Sequence, residues 1–182
     1  MRLSAKTALA YHEAGHLVAA WRSGFRIRRA TIIPAGDVAG LVEHDSPLKG
    51  LQLDTDVSEI ARGRAEKAIV VCLAGPAAQR QFSARSWRTT HGERDYLVAR
   101  DLAGCLNVTP AAATAHLGYL EVVAHDLVAG SWHFVEAAAQ ELLRRGALDA
   151  AQVESVIRSA LAQAPASAVA GRIPSRTTSL PG

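Results

Sequence analysis

Long segments rich in alanine and leucine, separated by capping residues, glycines and prolines, recur along the chain. Residues 4–22 contain no proline and are followed by Gly24, which is typical of a helix that ends in a left-handed cap. Thr109 followed by Pro110 is typical of a helix start. Aromatic residues make up only 5% of the sequence, which favours helix packing over sheet formation. The sequence therefore predicts a mainly α fold.

The predicted helices cover most of the chain. Their expected ranges are 4–22, about 56–82, about 90–106, 110–130, 131–146 and 149–163, with capping boxes at Asp56 with Glu59 and at Thr90 with Glu93. Gly75-Pro76 is expected to break or kink the second helix. Residues 25–33 and 40–44, joined by a turn, predict one short β-hairpin beside the first helix. The arginines of its first strand indicate a solvent-exposed face or an exposed edge.

The chain length bounds the number of domains. A chain of 182 residues accommodates one proper hydrophobic core, so we expect a single domain over residues 1–163. Residues 164–182 contain three prolines and many small side chains. Such a segment buries too little apolar area to offset its ordering entropy, and we expect a disordered C-terminal tail.

Charge and apolar patterning exclude several classes of partner. The net charge of +3 comes mostly from scattered arginines, and residues 26–29 form the densest basic run without an aromatic platform for bases. We therefore expect no nucleic-acid partner.

The longest apolar stretch, residues 68–78, is too short to span a membrane. No export signal is recognisable, so we interpret Cys72 and Cys105 as buried, reduced thiols and expect a cytoplasmic protein.

His12, Glu13 and His16 form an H-E-x-x-H motif in the first predicted helix. Residues four apart lie on one helix face with Cβ atoms about 6 Å apart, so both imidazoles can bind one ion. Zinc is the expected ion, because imidazole-rich sites with an open position favour it. Glu13 would be the general base that deprotonates a zinc-bound water. The motif alone leaves open that two unrelated histidines produce it by chance.

A catalytic zinc site needs a third protein ligand from elsewhere in the fold. The candidates are acidic residues and histidines, namely Glu43, His44, Glu66, His91, Glu93, Asp95, Asp101 and the histidines of the C-terminal half. No spacing rule chooses among them.

Several segments, in the same order, resemble the peptidase domain of the FtsH-type membrane AAA proteases. They are the HEAGH motif, residues 31–34 (TIIP) with Gly36 and Gly40, residues 73–78 (LAGPAA), residues 89–95 (TTHGERD) and residues 142–153. The similarity covers about residues 9–157. It implies a helical zinc metalloendopeptidase domain in which Asp95 is the third ligand. It also implies an exposed strand, at Thr31, Ile32 and Ile33, to which an extended substrate adds.

The sequence also departs from this family. It contains no G-x-x-x-x-G-K-[ST] loop and no membrane segment, so we expect a stand-alone peptidase domain without the ATPase. The expected partner is a protein or peptide substrate, and a separate ATPase chain for unfolding and a homo-oligomer are left open. Pro76 and Gln79 replace an arginine and a glutamate, while His91 and Arg94 replace a glycine and an asparagine. We interpret His91 as a solvent-facing histidine, with an extra ligand or a transition-state donor as alternatives.

Three hypotheses follow. The first is peptide-bond hydrolysis by a zinc-bound water with Glu13 as base, independent of ATP. The second is a non-catalytic metal-binding or protein-interaction domain of the same ancestry. The third keeps the enzyme but takes Glu66 or Glu93 as third ligand, with Asp95 serving only as a helix-start aspartate stabilised by the helix dipole. We interpret the remaining histidines, at positions 44, 116, 125 and 133, as structural or surface residues.

Overall fold

The computed structural model describes residues 5–53, 58–86 and 92–163. The helices are α1 (Ala5–Arg22), α2 (Glu59–Phe82), α3 (Glu93–Cys105), α4 (Pro110–Gly130), α5 (Trp132–Arg145) and α6 (Ala150–Gln163), and the strands are β1 (Ile27–Thr31), β2 (Leu41–His44) and β3 (Ala147–Asp149). The predicted mainly α fold is confirmed. Asp56, Thr90, His91 and the expected tail lie outside the described residues. The predicted caps at Asp56 and Thr90 are wrong, because Ser58 and Gly92 occupy the N-cap positions of α2 and α3. Within the described residues, no helix is both long and apolar enough to cross a membrane.

Local capping signals define several helix ends. Thr109 Oγ1 accepts a hydrogen bond from the backbone N–H of Ala112 at 3.2 Å, which confirms the predicted start of α4. At the start of α6, the Gln152 N–H donates to Asp149 Oδ1 at 2.8 Å, and the Asp149 N–H donates to Gln152 Oε1 at 3.0 Å. This reciprocal pair satisfies two backbone donors at the junction between β3 and α6.

The helices α1 and α2 approach closely in the core at Gly15. A Cβ atom on Gly15 would lie 2.4 Å from the Ala74 carbonyl oxygen and 2.6 Å from Ala78 Cβ. Of the predicted break or kink at Gly75-Pro76, the break is wrong, because α2 continues through both residues to Phe82. A proline inside a helix costs about 3 kcal/mol, and here the tight packing of α1 along Ala74 and Ala78 offsets that cost.

The small sheet is antiparallel with the strand order β2-β1-β3. Thr31 of β1 is opposite Leu41 on one side and Ala147 on the other. The predicted hairpin is therefore confirmed, and β3 is an addition, since three residues are too few to produce a strand pattern. The alternative of an exposed edge is wrong for β1, because this strand lies between β2 and β3. Its two arginines, Arg28 and Arg29, are exposed.

Two hydrophobic clusters hold the helices together. The larger one joins α1, α2, α4, α5, α6 and the sheet and contains the buried side chains of Leu17 and Phe134. The smaller one joins α2, α3 and α4 around Ile69, Leu73 and Leu120. Because α2 contributes to both, it lies between α1 on one side and α3 on the other. This arrangement brings the H-E-x-x-H helix and the start of α3 to the same region.

The two cysteines differ from their predicted environment. Cys72 is half-buried on α2, whereas Cys105 is exposed at the end of α3, so the prediction of two buried thiols is wrong for Cys105. Both thiols are unoxidised, with no disulfide between them. Burial, together with the nearby Asp95 carboxylate, raises the pKa of Cys72 to about 12, so this thiol stays protonated at neutral pH.

Candidate metal centre

The side chains of His12, His16 and Asp95 meet at one point between α1 and α3. The Nε2 atoms of the two histidines are 3.1 Å apart. Asp95 Oδ2 lies 3.1 Å from His12 Nε2 and 3.5 Å from His16 Nε2. Among the described residues, this is the group of three metal-binding side chains whose ligand atoms converge. Tetrahedral zinc with ligand bonds of 2.0–2.1 Å places its ligand atoms about 3.3 Å from one another, so the observed spacing fits such an ion.

The outer ring nitrogens of both histidines are hydrogen-bonded to α2. His16 Nδ1 donates to the Val71 carbonyl oxygen at 2.8 Å, and His12 Nδ1 donates to Gln79 Oε1 at 3.1 Å. These contacts place the ring protons on Nδ1 and leave the Nε2 lone pairs facing Asp95. Three acceptor atoms therefore face one another, and a cation between them would satisfy all three.

The electrostatics of this group also favour a positive charge. Although burial raises the pKa of Asp95, the neighbouring His16 and His12 lower it by more, to well below its usual range. Burial lowers the pKa of His16, but the charge of Asp95 and its hydrogen bond outweigh burial and raise it to about 9. Without an ion, a proton on His16 thus balances the carboxylate. A divalent cation would replace that proton.

Glycines create the space around these side chains. A Cβ atom on Gly75 would lie 2.3 Å from His16 Nε2, and one on Gly40 would lie 2.5 Å from Glu13 Oε1. Neither distance is compatible with the present side-chain positions. Gly75 belongs to the LAGPAA segment and Gly40 precedes β2, so two of the segments that carry the family resemblance have a steric role at this centre.

Glu13 lies beside the three ligand candidates without joining them. Its side chain is buried, with only 5% exposed, and lines the same cavity as His12 and His16. Burial raises the pKa of Glu13 to about 7, with His16 lowering it and Asp95 raising it further. A carboxyl group that exchanges its proton near neutral pH is suited to general acid–base work.

A cavity of about 1250 Å³ opens above the centre. Its walls are mainly apolar and include Leu9, Ile32, Ile33, Val38, Leu41, Val42 and Val98, while Lys6, Asp37 and Arg94 add charge. Of the predicted substrate-binding residues, Ile32 and Ile33 line the cavity. Thr31 is buried in the central strand, where its hydroxyl accepts a hydrogen bond from the Ile33 N–H at 3.0 Å. Among the described strands, β2 borders the cavity and lies at an edge of the sheet, with one side paired to β1.

The other candidate ligands have different contacts. Glu66 lies 3.4 Å from Arg62 and 3.2 Å from His116. His44 lines the cavity, but its Nδ1 donates to the Asp45 carbonyl oxygen at 2.9 Å. Glu43 and Glu93 are exposed, Asp101 pairs with Arg100, and His125 is exposed. None of these side chains joins the group formed by His12, His16 and Asp95.

Sequence reasoning missed the residues that orient the histidines. Gln79 was noted only as a departure from the family, and the Val71 carbonyl carries no sequence signal. Comparison with protein-family models and with curated proteins found no match for this chain. The geometry of the centre therefore carries the functional argument.

Proposed function

We propose that this chain is a zinc-dependent endopeptidase of the kind found in the FtsH-type proteases, in which His12, His16 and Asp95 hold the metal. The observation that carries the proposal is the meeting of three acceptor atoms at tetrahedral spacing, next to the buried Glu13 carboxyl. Two imidazole nitrogens and one carboxylate oxygen form a donor set that zinc commonly takes. The ion, when bound, supplies a Lewis acid that acidifies the attacking water and polarises the scissile carbonyl.

Glu13 has the position and the chemistry of the general base. It takes a proton from water as the new C–O bond forms at the scissile carbonyl carbon. When the C–N bond breaks, the same carboxyl gives the proton to the departing amine. Burial raises the pKa of the Glu13 carboxyl, which supports the proton-donating step.

The cavity and the sheet support an extended peptide as substrate. One edge of β2 pairs with β1, and Gly40, Leu41, Val42 and His44 line the cavity beside the ligands. A peptide that pairs with the other edge of β2 would pass the centre with alternate side chains against the apolar wall. Only an unfolded, loosely folded or short chain offers such a segment, so folded substrates would need a separate ATPase chain to unfold them.

The decisive variant is Glu13→Gln. It keeps the size of the side chain and removes the base, so zinc content should stay near one ion per chain while cleavage of a quenched peptide falls about 10²- to 10⁴-fold. Glu93→Gln, which changes an exposed carboxylate on the first turn of α3, is the control and should leave both values unchanged. Full cleavage by the Glu13 variant would contradict the mechanism. Zinc binding without any cleavage by the unaltered protein would favour the non-catalytic alternative.

The third ligand is tested by metal content. Asp95→Ala should lower zinc affinity strongly, whereas Glu66→Ala and Glu93→Ala should not, because neither glutamate reaches the centre. Elemental analysis after dialysis at a fixed free zinc concentration separates the three variants. Zinc loss in either glutamate variant with retention in Asp95→Ala would replace Asp95 as ligand.

A further inference from the structure

Arg80, Tyr96 and Glu121 form a hydrogen-bonded cluster that joins three helices, here called the helix clamp. Arg80 Nη2 on α2 donates to Tyr96 Oη at 2.6 Å and to Glu121 Oε1 at 3.1 Å. Tyr96 Oη on α3 donates to Glu121 Oε1 on α4 at 2.6 Å. The guanidinium carbon of Arg80 also lies 5.8 Å from the centre of the Tyr96 ring. The phenol is thus bonded to α2 and α4 at once.

Two members of the clamp directly follow residues of the candidate metal centre. Arg80 follows Gln79, whose side chain orients His12. Tyr96 follows Asp95, whose carboxylate contacts both histidines. The clamp therefore ties α2 and α3 together at the point where each contributes to the centre.

Beyond its first turn, α3 is held by side-chain packing against the smaller hydrophobic cluster, to which Leu102 also contributes. Within α3 the buried residues are Ala99 and Ala103, which are small side chains and lie one and two turns after Asp95. The Asn107 side chain donates to the Ala103 carbonyl oxygen at 2.7 Å, but this contact lies at the far end of the helix. Besides Asp95 itself, Tyr96 is the first-turn residue whose side chain both packs against that cluster and hydrogen-bonds to other helices.

We propose that the helix clamp positions Asp95 for the metal, with Tyr96 as the positioning residue. The inference rests on the proposed function, because it takes His12, His16 and Asp95 as the ligands. Tyr96 does not touch the ion and acts only through the carboxylate beside it. Without the phenol oxygen, Arg80 and Glu121 form an ion pair whose side chains are 38% and 44% exposed. An ion pair this exposed stabilises the contact between two helices only weakly.

The test is a double-mutant cycle on zinc affinity, measured by competition with a chelator. Tyr96→Phe removes one oxygen atom and should weaken zinc binding about five- to tenfold, near the lower end of what outer-shell substitutions cost. In an Asp95→Ala background, where His12 and His16 retain measurable affinity, Tyr96→Phe should have no further effect. Tyr119→Phe makes the same chemical change at an exposed position on α4 and should leave the affinity unchanged.

Glu121→Gln provides a second route to the same result, since it removes the charge that accepts from both Arg80 and Tyr96. The melting temperature of the metal-free protein is recorded for every variant to confirm folding. Unchanged zinc affinity in Tyr96→Phe and Glu121→Gln would overturn the proposal. An equal loss of zinc affinity with and without Asp95 would also overturn the proposal, because the clamp would then act on the whole fold and not on the position of Asp95. A wild-type protein that binds no zinc would remove the proposed function together with the clamp.

Discussion

The two parts of the candidate metal centre come from helices that differ sharply in packing. Eleven of the 18 residues of α1 are buried, including His12 and Glu13. Only two of the 13 residues of α3 are buried, and both are alanines. The histidines therefore belong to a rigid helix pair, whereas Asp95 is carried by a helix that is held by a few polar contacts, by two buried alanines and by the partly buried Tyr96 and Leu102.

This difference indicates how a metal would affect the protein. The imidazoles are oriented before any ion arrives, since α2 accepts a hydrogen bond from each of their Nδ1 atoms. The Asp95 carboxylate completes the centre from α3, the less stable helix. Metal binding should thus stabilise α3 most. A bound ligand adds most to the stability of an element that opens easily and that contributes side chains to the site.

The largest expected effect concerns the rigid pair. Gly15→Ala should destabilise the metal-free protein by about 3 kcal/mol or more, because the added methyl group meets the backbone of α2 at Ala74. Gly63→Ala on α2 is the control, since a Cβ atom there meets nothing within 4 Å. It should be neutral or stabilising by up to about 1 kcal/mol from helix propensity. Denaturant unfolding measures the free energy of unfolding of both variants. Equal changes would show that α1 and α2 are less tightly packed at Gly15 than in the structure.

A second prediction contrasts the two parts directly. Zinc at saturation should slow amide hydrogen exchange in α3 by at least about tenfold, and should change the central turns of α1 and α2 much less. Exchange followed by mass spectrometry on peptides from each helix gives the comparison. Similar slowing in all three helices would contradict the division into a rigid and a less stable part.

The smallest expected effect concerns α5, which contributes to neither part of the candidate metal centre. Hydrogen bonds from Arg144 and Arg145 lower the pKa of Glu141 from 4.5 to about 2. Because the folded-state pKa is the lower one, the stabilisation is present above about pH 4.5 and is lost as the pH falls towards 2. The side chain is partly exposed, so the free energy of unfolding of wild type and Glu141→Gln should differ by less than about 1 kcal/mol at pH 6. Unfolding at pH 6 and pH 3 measures the decrease, and altered zinc affinity in this variant would contradict its separation from the centre.

Features that depend on neighbouring residues were predictable. The start of α4 at Thr109-Pro110 and the end of α5 before Gly146 follow from capping chemistry within a few residues. The pairing of His12 with His16 follows from the helix repeat. The end of α2 at Phe82 was predicted, but its continuation through Pro76 without a break depends on the packing of α1 against Ala74 and Ala78. The strand β3 was missed because it is short and is stabilised by pairing with β1.

By itself, the sequence determined the helical class, the hairpin and the presence of two imidazoles and a carboxylate on one helix face. Only the tertiary structure decided that Asp95 reaches those imidazoles, that Gln79 and Val71 orient them, and that β2 is the strand edge beside the cavity. The physical reason is the range of the interactions. Helix periodicity and capping act over a few residues, whereas a ligand set closes only when side chains from α1, α2 and α3 pack within a few ångströms of one another.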